Sequence, residues 1–270
     1  CEQAKSGNHV VLVLPDAHFP YNDPAATDLV IKIAEVIRPS RIVSLGDTIE
    51  AAAWTMHSPR SYAEEATHAF SLEIAEAGAW IDRVRRAAAV EPSWAYLEGN
   101  HEAHVERECI RLGAIGRAVA DLVSPKRLLT RTRPWMSWTP YVKPYSQGRP
   151  ATSHPRGGGL AHHKITSDLW AVHGWSIARN TAQKHLDMMR GSASCVFGHV
   201  HKMQSVTEHN IVTDKLVRAW STGCLSNLQP PWMATPTTWS HGVSAVFCED
   251  ACLRRPDPKW TAYPIEIDRG

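Results

Sequence analysis

The sequence predicts an α/β fold, a β-sandwich of two mixed sheets flanked by helices, and three observations predict it. Short apolar runs alternate with stretches of helical periodicity through the first half of the chain. Several of these runs end in a cluster of Gly, Asp, Asn and His. The last part of the chain carries further short runs of β-forming residues with turns between them, the pattern of a second sheet packed on the first.

Residues 10–14 form a β-branched and leucine run that stops at Pro15 and Asp16, which predicts a buried strand delivering its carboxyl end to a loop. Apolar residues at helical spacing over 24–37 (Leu29, Ile33, Val36, Ile37) predict a helix that Pro39 stops. A second strand follows over 41–45, ending at Gly46 and Asp47. Residues 61–89 are rich in Ala and Glu, with Phe70, Ile74, Ala77, Ile81 and Val84 on one face, and predict a long helix. A third strand over 93–97 ends at Gly99, Asn100 and His101. Strands separated by helices pair in parallel, and such sheets bind ligands beyond the carboxyl ends of their strands. Further on, strands over 169–172 and 195–197 lead to His173 and to the run Gly198-His199-Val200-His201, with a helix expected over about 176–189. Short strands are expected over 216–219, 242–247 and 260–267.

Composition narrows the function classes. The chain has 270 residues, 43% hydrophobic and 21% charged, which fits one globular domain over 1–270. No apolar run approaches the roughly eighteen residues that span a bilayer, which excludes a membrane-spanning role. The first eight residues lack a basic stretch followed by an apolar one, so no secretion signal is expected and a cytoplasmic location is. A processed or lipid-modified start at Cys1 is the alternative. The six cysteines have no close paired spacing and read as reduced and mostly buried.

Imidazole, carboxylate and amide oxygens together suit borderline divalent ions. Each motif taken alone has a bland explanation, since Gly-Asp often marks a turn and a lone His is usually a satisfied core or surface residue. Five such clusters in order, all after strands, are a different matter. They read Asp16-Ala17-His18, Gly46-Asp47-Thr48-Ile49-Glu50, Gly99-Asn100-His101-Glu102, His173-Gly174 and Gly198-His199-Val200-His201. This order resembles the calcineurin-like metallophosphoesterase family, including its bacteriophage and bacterial members. The resemblance spans 16–201 and implies a four-layer fold and two divalent transition-metal ions, with Mn first and Fe, Zn or Ni as alternatives. It further implies that Asp16, His18, Asp47 and His201 hold one ion. Asp47, Asn100, His173 and His199 would hold the other, with Asp47 bridging.

A hydroxide held between such ions would attack phosphorus, making the chain a hydrolase of phosphomonoesters or phosphodiesters. By the same resemblance His101 protonates the leaving oxygen, and Glu50 orients it where the family has Asp. On spacing alone, Glu50 as a simple cap is an equal alternative. Ala51 replaces the Arg found after this position in protein Ser/Thr phosphatases, which argues against a phosphoprotein substrate.

Residues 105–164 carry eleven Arg and Lys against three acids, a local charge of +8 in a chain of +2. This basic, aromatic-containing insert is expected near the mouth of the site, with Arg127, Arg131, Arg133 and Trp135 as contacts to a nucleotide, DNA or RNA. A solvated basic face over a local aromatic core is the alternative. Gly157 to Gly159 read as a turn, and Trp232 and Trp239 as core residues rather than pocket walls. The competing function readings are a small-metabolite phosphatase and a non-catalytic scaffold of the same fold.

Overall fold

The computed structural model describes residues 8–54, 70–141, 162–189, 192–231, 233–249 and 259–268. Among the described residues, two sheets face one another. The first has six strands, namely β1 (Asn8–Leu14), β2 (Arg41–Ser44), β3 (Ser93–Leu97), β4 (Met136–Thr139), β10 (Gly242–Glu249) and β11 (Trp260–Glu266), in the order β11-β10-β1-β2-β3-β4. The second contains β5 (His162–Lys164), β6 (Leu169–Val172), β7 (Ser194–Phe197), β8 (Met203–Asn210) and β9 (Lys215–Thr222), in the order β5-β6-β7-β9-β8. Both are mixed: β1 to β4 run parallel while β10 and β11 are antiparallel, and β6, β7 and β9 run parallel between antiparallel edges.

Strand alternation builds the layers. Leu12 and Leu14 of β1 point to one face of the first sheet, where they meet Val30 and Ala34 of α1 (Pro24–Ile37) and Ile81 and Val84 of α2 (Phe70–Ala87). Val11 and Val13 point to the other face and join Val43, Leu45 and Leu97 against Leu169, Ala171, Val196 and Trp220 of the second sheet. On the far side, Val172, Cys195 and Phe197 pack under Ala182 and Leu186 of α6 (Thr181–Met188). The predicted sandwich with helices on its outer faces is therefore present.

Local chemistry sets the boundaries. Asp23 caps α1 by accepting from the Ala26 N–H at 2.9 Å, Pro24 opens it, and Arg38 closes it in a left-handed conformation. The predicted long helix is observed as α2, and its predicted first part lies outside the described residues. Residues 176–180, expected to be helical, form turns before α6, with the Thr181 hydroxyl donating to the Ser176 and Ala178 carbonyls. The last two strands do not extend the second sheet. Residues Gly242 to Val246 are buried, and β10 gains cover on both faces by pairing with β1 in the centre of the first. Cys109, Cys195 and Cys224 are free thiols and buried, as expected, and Cys248 is buried as well. No helix is long and apolar enough to cross a membrane among the described residues.

The basic insert departs most from expectation. Its described part forms three helices, α3 (Asn100–Arg111), α4 (Gly113–Val123) and α5 (Pro125–Thr130), and then β4. Because β3 and β4 are parallel, with Trp94 opposite Met136, residues 131–135 lie at the amino ends of the strands. That is a strand length, roughly 13 Å, from the carboxyl ends where the metal-type residues gather. Arg133 is buried there, its guanidinium bonded to both oxygens of Asp82 at 2.9 and 2.8 Å and to the Leu129 carbonyl at 3.0 Å. Trp135 packs near Trp94 and carries the Arg85 guanidinium over its ring. Both are structural residues, which corrects their expected role as substrate contacts. Arg127 and Arg131 are exposed in the same region, and Arg127 pairs with Asp121. The glycine turn at 157–159 lies outside the described residues, as do Tyr145 and Trp232.

An Arg133→Ala substitution leaves Asp82 and the Leu129 carbonyl without their donor and should lower stability by about 1 to 3 kcal/mol. Denaturant unfolding measures that loss. Metal content should stay at the wild-type level, and a loss of metal from a folded variant would contradict the structural assignment.

Candidate metal centre

Five loops bring the predicted residues together at the carboxyl ends of β1, β2, β3, β6 and β7. Two groups form. In the first, ligand atoms of Asp16, His18 and His201 lie within 4.8 Å of one another, and in the second those of Asp47, His173 and His199 do. The His18 and His201 Nε2 atoms are 3.0 Å apart, and the Asp16 Oδ2 is 3.1 Å from the latter. In the second group, the His173 Nε2 lies 3.3 Å from the Asp47 Oδ2 and 3.0 Å from the Asn100 Oδ1. All seven predicted ligand positions thus fall in or beside one of these two groups.

Hydrogen bonds fix which ring nitrogen is left over. The His173 Nδ1–H donates to the Leu45 carbonyl at 2.7 Å, and the His18 Nδ1–H donates to the Glu50 carboxylate at 2.7 Å. Both rings therefore turn Nε2 inward, the arrangement by which metal-binding histidines are oriented. The Asp16 Oδ1 is buried with no hydrogen-bond partner. Two facing ring nitrogens, a carboxylate oxygen beside them and an orphaned carboxylate oxygen are poorly served by protons. A cation serves them all, and the nitrogen and oxygen donors suit a borderline divalent ion.

Charge shifts agree with that reading. Burial pulls the His18 pKa down, but the Glu50 hydrogen bond and the charges of Glu50, Asp47 and Asp16 outweigh it and raise it to about 9. His173 is likewise opposed by burial and raised to about 9 by Asp47 and Asp16. Burial acts to raise Asp47, and His173 and His101 overcome it, holding the carboxyl well below the usual range. His199, chiefly through burial, falls to about 4 and stays a neutral ligand-ready imidazole. Filling the site must displace the protons that His18 and His173 hold in its absence.

The loops are held in an uncommon backbone geometry. His18, Asp47, His199 and His201 all have positive φ, between 47° and 72°. Asp and His visit this region more readily than most residues, yet each instance costs of order 1 to 3 kcal/mol. Two glycines make room for the carboxylates. A Cβ at Gly99 would lie 2.0 Å from the Asp47 Oδ1, and one at Gly198 would lie 2.3 Å from the Asp16 Oδ1.

Glu50 and His101 differ in detail from expectation. The Glu50 carboxylate bonds His18, and its distance to the His101 Nδ1 is 3.6 Å. It is the Glu50 backbone carbonyl that accepts from the His101 Nδ1–H, at 2.7 Å. One residue thus orients two imidazoles through different atoms, and neither the cap reading nor a carboxylate held chiefly on His101 describes it.

One residue that positions the ligand loops was not assigned this part from sequence. Glu102 is wholly buried, and its carboxylate accepts from the backbone N–H groups of Asp47 (3.0 Å), Thr48 (2.9 Å) and Gly99 (3.0 Å) and from the Tyr96 hydroxyl (2.6 Å). Its signal was present: an acid at the third position of a helix that follows Gly99 reaches back to the cap. Trp239, expected in the core, instead stands against His201 with ring centroids 4.2 Å apart. Tyr141 stands edge-on to His173 at 5.7 Å.

No protein family matches the chain, and no curated protein matches it. Among solved structures, it aligns with Vps29 of Chaetomium thermophilum at 8% identity and a TM-score of 0.39, over 95% of this chain and 99% of that one. It aligns with Vacuolar Protein Sorting 29 of Cryptosporidium parvum at 11% identity and 0.38, over 97% and 99%. It also aligns with a phosphatase of Mycoplasma pneumoniae at 9% identity and 0.38, over 97% and 95%. Likenesses of this strength assign neither family nor activity, and the functional reading rests on the chain's own residues.

Replacing Glu102 with Gln puts an amide donor against backbone donors of the Asp47 and Gly99 loops. Metal affinity should fall about 10- to 100-fold, the usual cost of losing a group that orients ligands. Metal titration of the folded variant measures it, and wild-type affinity would show that Glu102 does not position the site.

Proposed function

We propose that the chain is a phosphoesterase that uses two divalent metal ions and is of the calcineurin-like type. The convergence of two buried His and Asp groups carries this reading. Asp16, His18 and His201 would hold one ion with Asp47, while Asp47, Asn100, His173 and His199 would hold the second. When bound, such a pair supplies hydroxide at neutral pH and neutralises charge on the phosphoryl oxygens.

The remaining work falls to the chain's own groups. His101 stands with its ring centroid 4.6 Å from that of His18, and its backbone N–H donates to the Asp47 Oδ1 at 2.9 Å. With Nδ1–H committed to the Glu50 carbonyl, its Nε2 is the atom left to hand a proton to the departing oxygen. Glu50 keeps His18 oriented, and Glu102 keeps the Asp47 and Asn100 loops in register.

A small ester is favoured over a nucleic acid. Arg133 is engaged by Asp82 at the other end of the sheet, Lys164 stands over the Trp170 ring in the second sheet, and the other described cations of the insert lie along α3 to α5 or just after it. Arg107, on α3, donates to the Asn100 carbonyl at 3.1 Å and so braces a metal loop. Scaffold proteins of such a fold usually show replaced ligands, and all seven positions here retain ligand chemistry.

The test is a series of aryl and alkyl phosphates whose leaving groups differ in pKa, assayed with Mn. His101→Ala should retain metal and lose about 100- to 10,000-fold in rate on the poorest leaving groups, with little loss on the best. An equal loss across the series would remove His101 as the acid. Absence of hydrolysis by the metal-loaded wild type would remove the phosphoesterase reading itself.

A further inference from the structure

A cleft of about 220 Å³ opens beside the first ligand group, lined by Ile177, His199, Val200, His201, Lys202 and Trp239. Two of its walls are predicted metal ligands, so whatever enters it is joined to, or lies against, the group at the metals. Drug-sized ligands occupy pockets of about 300 to 1,000 Å³. This one has room for a single ring system.

The aromatic wall is fixed in advance. The residue after Trp239 is Ser240, whose N–H donates to the His201 carbonyl at 2.9 Å and whose hydroxyl accepts from the Met203 N–H at 2.9 Å. Trp239 is tied through its neighbour to the strand end that carries His201, and the two rings meet at 86°. It remains partly exposed to the cleft. Ile177 adds an apolar lip that is 81% exposed. Lys202 also lines the cleft.

We propose that this cleft is the subsite for a nucleobase, so that the ester handled at the metals is a nucleotide whose base lies against Trp239 and Ile177. The inference rests on the phosphoesterase reading and names its substrate class. Every base offers a flat π face to an indole. An aliphatic chain would use Ile177 but gain little from a fixed aromatic plane. A sugar phosphate without a base would leave the cleft empty.

Calorimetric titration of the full chain loaded with Mn, using AMP, ribose 5-phosphate and inorganic phosphate, tests this. AMP should bind about tenfold more tightly than ribose 5-phosphate, the margin that base stacking supplies. Trp239→Ala should bring AMP to the level of ribose 5-phosphate while leaving the other two ligands and the metal content as in wild type. Trp239→Phe should restore most of the difference, and Trp239→Leu, which keeps apolar bulk without the π face, should not. Equal affinity of wild type for AMP and ribose 5-phosphate would overturn the subsite, as would a uniform loss for all three ligands in Trp239→Ala. If the Mn-loaded wild type binds none of the three, the phosphoesterase reading fails and the subsite fails with it.

Discussion

The carboxylate of Glu102 is the point on which the site's geometry depends. It is wholly buried and gathers N–H groups from the loop after β2 and the loop after β3, together with the Tyr96 hydroxyl of β3 itself. Burial raises its pKa first, and Asp47 adds to that, so the acid is held where an anion is expensive. With the Ile49 N–H at 3.4 Å, five donors on two oxygens are what make an anion there tolerable. Because those donors include the backbone N–H of Asp47 and of the residue before Asn100, any slack in this carboxylate is passed directly to the ligand set.

From that anchor the rest follows by close approach. Asp47 takes a positive φ, Gly46 beside it sits where a Cβ would meet the Gly99 backbone at 2.5 Å, and the Asp47 carboxylate then accepts from the His101 N–H. On the other side, Gly198 lets the Asp16 carboxylate come close enough to accept from the His199 N–H at 2.8 Å. Bare carboxylates and imidazoles packed this tightly, in a backbone region most residues avoid, are not a stability device. Such strain concentrates where a ligand is to be held.

Much of this was legible in the sequence, and the reasons differ by element. The parallel strands of the first sheet are buried on both faces, so Val10 to Leu14 and Arg41 to Leu45 read as apolar runs and their ends could be located. The helix from Pro24 was legible from its apolar spacing and from Pro39 beyond its end. In contrast, β8 lies at a sheet edge with mostly exposed residues and no apolar alternation to announce it. The return of β10 to the first sheet is a matter of long-range pairing that no local pattern encodes. The basic insert misled because charge counted along the chain ignores direction: α3 leaves the metal end, and by Arg133 the chain has reached the opposite edge. Trp239 was misjudged because a lone Trp carries no sign of whether its neighbour will be a core residue or His201. Glu50 shows the limit of motif reasoning, since its type suggested one partner and its geometry supplies two.

The proposed chemistry requires two ions sharing Asp47. Its most direct measurement is anomalous scattering from crystals of the Mn-loaded protein. The expected result is two peaks about 3.5 to 4 Å apart, one among Asp16, His18 and His201 and one among Asn100, His173 and His199, with the Asp47 carboxylate reaching both. A single peak, or a pair that Asp47 does not touch, would contradict it.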